Sequence, residues 1–157
     1  MSTNAQVLAL KQALQFFSRT CSVFQEKDAR FAPTPSQFTV AQQVAHVAQT
    51  IDWFVEGAFR PQGFDLDFAA HQGAVRRVES LSEAFTWLAR SVDAATADLG
   101  RRSEAELAAP IAAGPIMGGE PRVAIVGAIA EHMAHHRGAL SVYARLLGYA
   151  PPMPYAD

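Results

Sequence analysis

The stretch AEHMAHHRGAL, residues 130–140, is the most informative part of this sequence. It places His132, His135 and His136 within a span of five residues. Since an α-helix turns about 100° per residue, His132 and His136 lie only about 40° apart around its axis. Their face also carries apolar or aromatic residues, namely Ile125, Ala128, Ile129, Ala139 and Tyr143. We therefore predict a helix that presents His132 and His136 inward, with His135 nearer its boundary.

Two inward imidazoles on successive turns raise a physical problem. Burying their nitrogen atoms without partners costs a few kcal/mol. A shared metal ion removes that cost, because neutral imidazole nitrogens are good ligands of zinc, nickel or iron. The alternative is a pair of hydrogen-bonded core histidines, since helices also carry such pairs by chance. The pair alone leaves both interpretations open.

A second segment, FTVAQQVAHVAQTIDWF at residues 38–54, offers a third imidazole. Its predicted core positions are Val40, Val44, Val47, Ile51 and Phe54 or Val55. Beside them His46 lies on a more polar line with Thr39, Gln42, Thr50 and Trp53. If the two helices adjoin, His46 meets His132 and His136. Three histidine ligands would leave a fourth coordination position open, which is typical of catalytic zinc sites.

The remaining candidate site residues are His71 and three side chains on the histidine faces. His71 falls in an irregular segment and is predicted to be a solvated loop residue, with a place at the rim of the pocket as the alternative. Thr50, Trp53 and Tyr143 lie along the two histidine faces, and we predict that they line a substrate pocket; for Trp53 and Tyr143 the alternative is a place in the core. The metal ligands predicted from spacing are therefore His46, His132 and His136, and no catalytic residue is assigned.

Apolar residues recur at spacings of three and four over four long segments, which predicts four amphipathic helices. We place them at residues 5–26, 39–59, 80–99 and 121–147. No strand-like alternation and no internal repeat interrupts this pattern. We expect an all-α fold in which a single domain, residues 1–157, forms a four-helix bundle.

The ends of these helices are marked by local signals. Thr39 or Ser36 caps the second helix, while Gly100 and Gly148 end the third and fourth. Ser80 and Glu83 have the spacing of a capping box at the start of the third helix. The two irregular segments, residues 60–80 and 108–121, are predicted as loops, the first with one short helix.

Composition excludes several classes of function. The 157 residues are 50% hydrophobic and 18% charged, so the chain is long and apolar enough to bury a core. A formal net charge of −2 gives no basic surface for nucleic acid. Cys21 is the sole cysteine, which excludes an internal disulfide and a thiolate cluster. Without a secretory signal or a run of about 18 apolar residues, we expect no membrane partner and a cytoplasmic location.

Three pieces of the sequence together resemble the DinB/YfiT-like metalloenzyme family. They are the segment around His46, the segment EHMAHHRGALSVYARLLG at residues 131–148, and the tail YAPPMPY at residues 149–155. The resemblance places the family's ligands on His46, His132 and His136, because Arg137-Gly138 follows the last ligand. The chain departs from the family pattern at Ala139, where a glutamine is usual, and by its extra imidazole at His135.

The resemblance implies a fold and an activity as well. The fold is a four-helix bundle of up-down-down-up type that assembles as a homodimer and holds a divalent metal. Characterised members act with a low-molecular-weight thiol, such as mycothiol, bacillithiol or glutathione, as thiol transferases or isomerases. We expect a metal-dependent thiol transferase acting on a small-molecule electrophile. The alternatives are a metal-water hydrolase and a non-enzymatic, metal-bearing module of the stress response that binds or dimerises.

Overall fold

A computed structural model describes residues 3–156 of the chain, and within this range the protein is all-α. The described residues contain six α-helices: α1 Thr3–Cys21, α2 Val40–Phe59, α3 Phe68–Arg76, α4 Leu81–Arg101, α5 Glu104–Ala108 and α6 Ile125–Leu146. They contain no strand, and Pro110 and Pro121 form an isolated β-bridge. None of the described helices is long and apolar enough to cross a membrane.

The four long helices pack in a closed circuit around one core. Helix α2 packs against α4 and α6, and α1 packs against the same two helices. Short α3 covers a further side of α2. Each long helix contributes fully buried side chains, including Phe17, Ile51, Leu88 and Ile129. Helices α2 and α6 are therefore neighbours, which is the arrangement that a site shared between His46 and the later histidines requires.

The start of α2 is fixed by Thr39 rather than by Ser36. The Thr39 hydroxyl accepts a hydrogen bond from the Gln42 amide, and the Gln42 side chain accepts one from the Thr39 amide. This reciprocal capping satisfies two backbone donors that the first turn leaves free. The Gln42 side chain also donates to the carbonyl of Arg76 at 3.1 Å, which ties the end of α3 to the start of α2.

Helix α1 ends five residues earlier than the apolar spacing predicts. The prediction extends it to residue 26, but α1 stops at Cys21, and Glu26–Asp28 form a separate 3-10 turn. The Asp28 carboxylate accepts a hydrogen bond from the Gln25 amide at 2.8 Å, so this polar segment closes its own turn. Phe24 is still buried, which shows that apolar spacing can continue past the end of a helix.

In the middle of the chain one predicted helix end is wrong, and one short helix was not predicted. Gly100 does not end the third helix, because α4 continues through it to Arg101. A glycine keeps its backbone hydrogen bonds in a helix, and Arg102 pairs with Asp98 just beyond it at 3.0 Å. Helix α5 was not predicted, since five residues are too few for an apolar period.

The predicted start of the fourth helix at Pro121 is wrong, because Arg122–Ala124 form a 3-10 turn and α6 begins only at Ile125. Other boundaries follow the local signals. Ser80 accepts a hydrogen bond from the Glu83 amide at 3.2 Å and caps α4, which is one half of the capping box that the spacing predicts. The short helix expected within residues 60–80 is α3, which Asp67 caps. After α6, Gly148 adopts a φ of 84°, a left-handed conformation that suits glycine and ends the helix. Residues 149–156 contain no helix.

Candidate metal centre

Three histidines from two helices converge on one point of the structure. His46 projects from α2, and His132 and His136 project from successive turns of α6. One nitrogen from each ring can be chosen so that all three atoms lie within 4.8 Å of one another. The ring centroids are 5.0 Å apart for His46 and His132, 4.8 Å for His46 and His136, and 4.4 Å for His132 and His136.

His136 is the most constrained of the three. It is only 9% exposed, and its Nδ1 lies 2.5 Å from Oε1 of Gln43. The Gln43 amide in turn donates from Nε2 to the Tyr143 hydroxyl at 3.2 Å. That hydroxyl donates to the backbone carbonyl of Phe38 at 3.0 Å. On the other side of the ring, His136 Nε2 lies 3.1 Å from Nε2 of His132.

The surroundings keep these imidazoles neutral. Burial, and to a smaller extent repulsion from neighbouring histidines, together lower the pKa of His136 to about 3 and that of His132 to about 4. The pKa of His46 is also lowered, first by burial and then by the charge that His135 would carry. A neutral imidazole has a lone pair to offer, so all three rings are in the protonation state that metal binding requires.

The donor set fits a divalent transition metal. Zinc binds histidine nitrogen at about 2.0–2.1 Å, so tetrahedral ligands lie about 3.3 Å apart. The Nε2 atoms of His132 and His136 are already 3.1 Å apart. Small side-chain rotations would bring the His46 nitrogen from within 4.8 Å to the same separation. Three imidazoles suit zinc, nickel, iron or cobalt, and the ligands do not choose among them.

A cavity of about 660 Å³ opens beside His46 and His132. Aromatic rings form much of its wall: Phe38, Trp53, Phe54 and Phe68. The polar side chains that line it are Gln49, Thr50, His71 and Gln72. The indole N–H of Trp53 donates to the carbonyl of Asp65 at 2.7 Å, which fixes this ring in the wall. No Asp, Glu, Lys or Arg is among the described residues that line the cavity.

The predicted pocket residues occupy two different places. Thr50 and Trp53 line the cavity, whereas Tyr143 lies behind Gln43 and is not part of the lining. His71 is not a solvated loop residue but follows the alternative: it belongs to α3, is half-buried and lines the cavity, with Nε2 3.5 Å from the Asp65 carboxylate. His135 is exposed, and its ring stands edge-on to His136 at 4.9 Å.

Gln43 was not identified as a functional residue from the sequence. It is 8% exposed and contacts His136 directly. A signal was present, because Gln43 stands three residues after Val40 and four before Val47, on the buried face of α2. A glutamine at such a position needs a buried partner.

Cys21 is a structural residue. It is 1% exposed, and burial raises the pKa of its thiol far above the ordinary value. A thiol that stays protonated is a poor nucleophile.

The fold and the histidine cluster define the class of this protein as all-α with a candidate metal centre between two adjacent helices. The chain belongs to the DinB family, whose sequence profile matches residues 3–157, nearly its whole length. No curated protein matches the chain at a significant level.

Proposed function

We propose that this DinB-family protein binds a divalent metal through His46, His132 and His136 and transfers a low-molecular-weight thiol to an electrophile. The observation that carries the proposal is the convergence of three neutral imidazoles at the wall of an apolar cavity. A divalent ion there would lower the pKa of a coordinating thiol and so supply a thiolate at neutral pH. Three protein ligands leave a coordination position for that sulfur.

The side chains that line the cavity indicate which kind of electrophile it can bind. Its rings offer stacking surfaces, and its lining offers no charged partner for a carboxylate or an amine. Burying an unpaired charge there would be costly. The cavity therefore suits an uncharged aromatic or apolar electrophile. The guanidinium of Arg76 stands 5.0 Å from the Phe38 ring, so a charged end of the thiol can meet a cation near that residue instead.

His71 is our candidate for the proton acceptor. Apart from the predicted ligands, it is the one side chain of the described lining that carries a basic nitrogen. The Asp65 carboxylate, 3.5 Å from Nε2, would stabilise the imidazolium that forms. In the proposed reaction the thiol proton passes to His71, the sulfur bonds to the electrophilic carbon, and the leaving group departs with its bonding electrons.

Two alternatives receive less support from the structure. Metal-water hydrolysis would be favoured by a carboxylate facing the metal, and the described lining contains none. A non-enzymatic stress-response module would be favoured by a cavity filled with side chains, whereas this one has about 660 Å³ of space. The circuit of contacts among α1, α2, α4 and α6 supports the four-helix bundle that the family resemblance implies. Its up-down-down-up order and a homodimer remain part of the proposal.

Elemental analysis of the untagged protein tests the metal site. We expect about one divalent ion per chain, lost in His46→Ala and in His136→Ala. His135→Ala is the matched control, because His135 is exposed and next to a ligand, and it should keep its metal. Metal retained in both ligand variants, or absent from the reconstituted wild type, would overturn the proposed centre.

The thiol activity requires a separate assay. Metal-loaded protein is mixed with monochlorobimane, an uncharged aromatic electrophile, and with glutathione, bacillithiol or mycothiol in turn. We expect metal-dependent conjugation with one of these thiols and a loss of turnover of about 10²-fold or more in His71→Asn, with metal content unchanged. Conjugation that proceeds equally without metal, or no conjugation with any thiol, would contradict a thiol transferase.

A further inference from the structure

A chain of three hydrogen bonds runs from His136 to a backbone carbonyl. It passes from His136 Nδ1 to Gln43, from Gln43 to the Tyr143 hydroxyl, and from that hydroxyl to the carbonyl oxygen of Phe38. All three side chains are less than 10% exposed, at 9%, 8% and 4% for His136, Gln43 and Tyr143. Water has little access to these groups, so each has to find its partner within the protein.

The direction of every bond in this chain follows from its last member. A carbonyl oxygen can only accept, so the single hydroxyl proton of Tyr143 points to Phe38. The Tyr143 oxygen then has to accept from its other neighbour, which places the N–H group of Gln43 on that side. The amide oxygen of Gln43 therefore faces His136 and accepts from Nδ1–H.

We infer that Gln43 and Tyr143 are positioning residues, which hold His136 as the Nδ1–H tautomer and so leave its Nε2 without a proton, as a metal ligand requires. A histidine that donates one ring N–H to a fixed acceptor presents the other nitrogen as a ligand. The Phe38 carbonyl thus determines, through three successive hydrogen bonds, which nitrogen of His136 carries the proton. The benefit for metal binding rests on the proposed function, whereas the tautomer itself does not.

The opposite arrangement is unfavourable at two points. Turning the Gln43 amide over would bring its oxygen against the Tyr143 oxygen, which has already used its proton on Phe38. It would also direct the amide N–H at His136 Nδ1 and require the proton on Nε2. In a buried network such a mismatch leaves polar atoms unpaired.

The same logic assigns His132. With its proton on Nδ1, His136 can only accept at Nε2, so His132 donates its Nε2–H across the 3.1 Å contact. His132 therefore has to shift that proton to its own Nδ1 before Nε2 can bind a metal. His136 is already in its binding form, and His132 is the ring that rearranges.

The test is the imidazole tautomer in metal-free protein at neutral pH, read from two-bond and three-bond proton–nitrogen couplings by NMR. We expect Nδ1–H for His136 in the wild type and in Gln43→Glu, whose carboxylate still accepts. In Gln43→Met, which keeps the size but loses both polar atoms, we expect Nε2–H. Tyr143→Phe should give a mixture. An Nε2–H wild type, or Gln43→Met that keeps Nδ1–H, would overturn the inference.

Zinc affinity by competition with a chelator provides the second readout. We expect about 10–100-fold weaker binding in Gln43→Met, a smaller loss in Tyr143→Phe and recovery in Gln43→Glu. Equal affinity of wild type and Gln43→Met would overturn the link between tautomer and binding. If the wild type binds no metal, the proposed function fails, but the tautomer still decides whether Gln43 and Tyr143 position His136.

Discussion

Helices α2 and α4 pack against each other, yet they support different tasks. Helix α4 is amphipathic, with one buried stripe that includes Leu88 and Leu99 and a charged outer face. Helix α2 contacts α3, α4 and α6, so buried residues occupy most of its circumference. Its polar side chains cannot all reach solvent, and Gln43 and His46 meet the histidines of α6 instead. A polar residue on a helix with several neighbours is thus stronger evidence for a site than one on a single-sided helix.

The largest expected effect is that of acid on the region where α2 meets the histidines of α6. The pKa of His136 in the folded protein is about 3 and that of His132 about 4, whereas an unfolded histidine has a pKa of about 6.5. The unfolded chain therefore binds more protons between these values. The free energy of unfolding of the metal-free protein should fall as pH decreases below about 6.5, and the loss is complete only below the folded pKa values.

Urea titrations of metal-free protein from pH 7 to about pH 4.5 would measure this effect. The lower end of that window reaches the pH at which Glu26 and Glu106, whose pKa values are lowered by backbone hydrogen bonds, begin to lose their own contribution, so a variant that keeps both carboxylates is the control. The double variant His132→Gln/His136→Gln should lose most of the pH dependence. A slope that is equal in this variant and in the wild type would place the acid sensitivity elsewhere.

Truncating the core of α4 should affect stability and leave the site alone. Leu88 is fully buried, so Leu88→Ala should lower the free energy of unfolding by about 2–5 kcal/mol. Leu146→Ala on α6 removes the same atoms from a side chain that is 60% exposed, and should change it by about 0.5 kcal/mol or less. Zinc affinity of folded Leu88→Ala should match the wild type. A large loss of affinity would mean that α4 also shapes the metal centre.

The sequence predicts the helices better than their ends, for a physical reason. Long helices carry several turns of apolar positions, so α2, α4 and α6 are visible as periodic patterns. The end of a helix depends on single hydrogen bonds, as at Cys21, where polar residues close a new turn while the apolar spacing continues. The five-residue α5 has no period to detect.

Part of the candidate site could likewise be predicted from the sequence, and part could not. The spacing of His132 and His136 shows that they share a face, and the structure places them together with His46. The part played by Gln43 depends on how α2 is set against α6, which the pattern of either helix alone does not specify. The position of His71 depends on how α3 folds back onto α2, and its segment is too irregular to predict this.

A single methyl group on α2 should disturb both the core and the cavity. A Cβ at Gly57 would lie 2.2 Å from Cδ1 of Phe64, whose ring packs 4.5 Å from that of Trp53 in the cavity wall. Gly57→Ala should therefore cost about 1–3 kcal/mol of stability by overpacking. It should also shift the fluorescence of Trp53, measured in a Trp87→Phe background.

Gly138→Ala is the matched control for Gly57→Ala. Outside the adjoining residues and backbone of its own helix, no atom lies within 4 Å of a Cβ at Gly138, so alanine should stabilise α6 by about 0.5–1 kcal/mol through reduced chain entropy. If Gly57→Ala and Gly138→Ala changed the free energy of unfolding equally, the close approach of Phe64 would not be the reason that a glycine is needed at position 57.

The smallest expected effect concerns the buried hydroxyl of Ser91 on α4. Ser91 is 1% exposed, and its Oγ has no hydrogen-bond partner among the described residues. Removing an unpaired hydroxyl ends a desolvation cost, and alanine favours helix more than serine does. Ser91→Ala should therefore leave the free energy of unfolding unchanged or raise it by up to about 1 kcal/mol. Thr96→Val, which removes a hydroxyl that donates to Asp93 at 3.0 Å, should lower it by about 1 kcal/mol. If Ser91→Ala instead weakened zinc binding, polar groups of α4 would contribute to the site, and the division of tasks between α2 and α4 would be wrong.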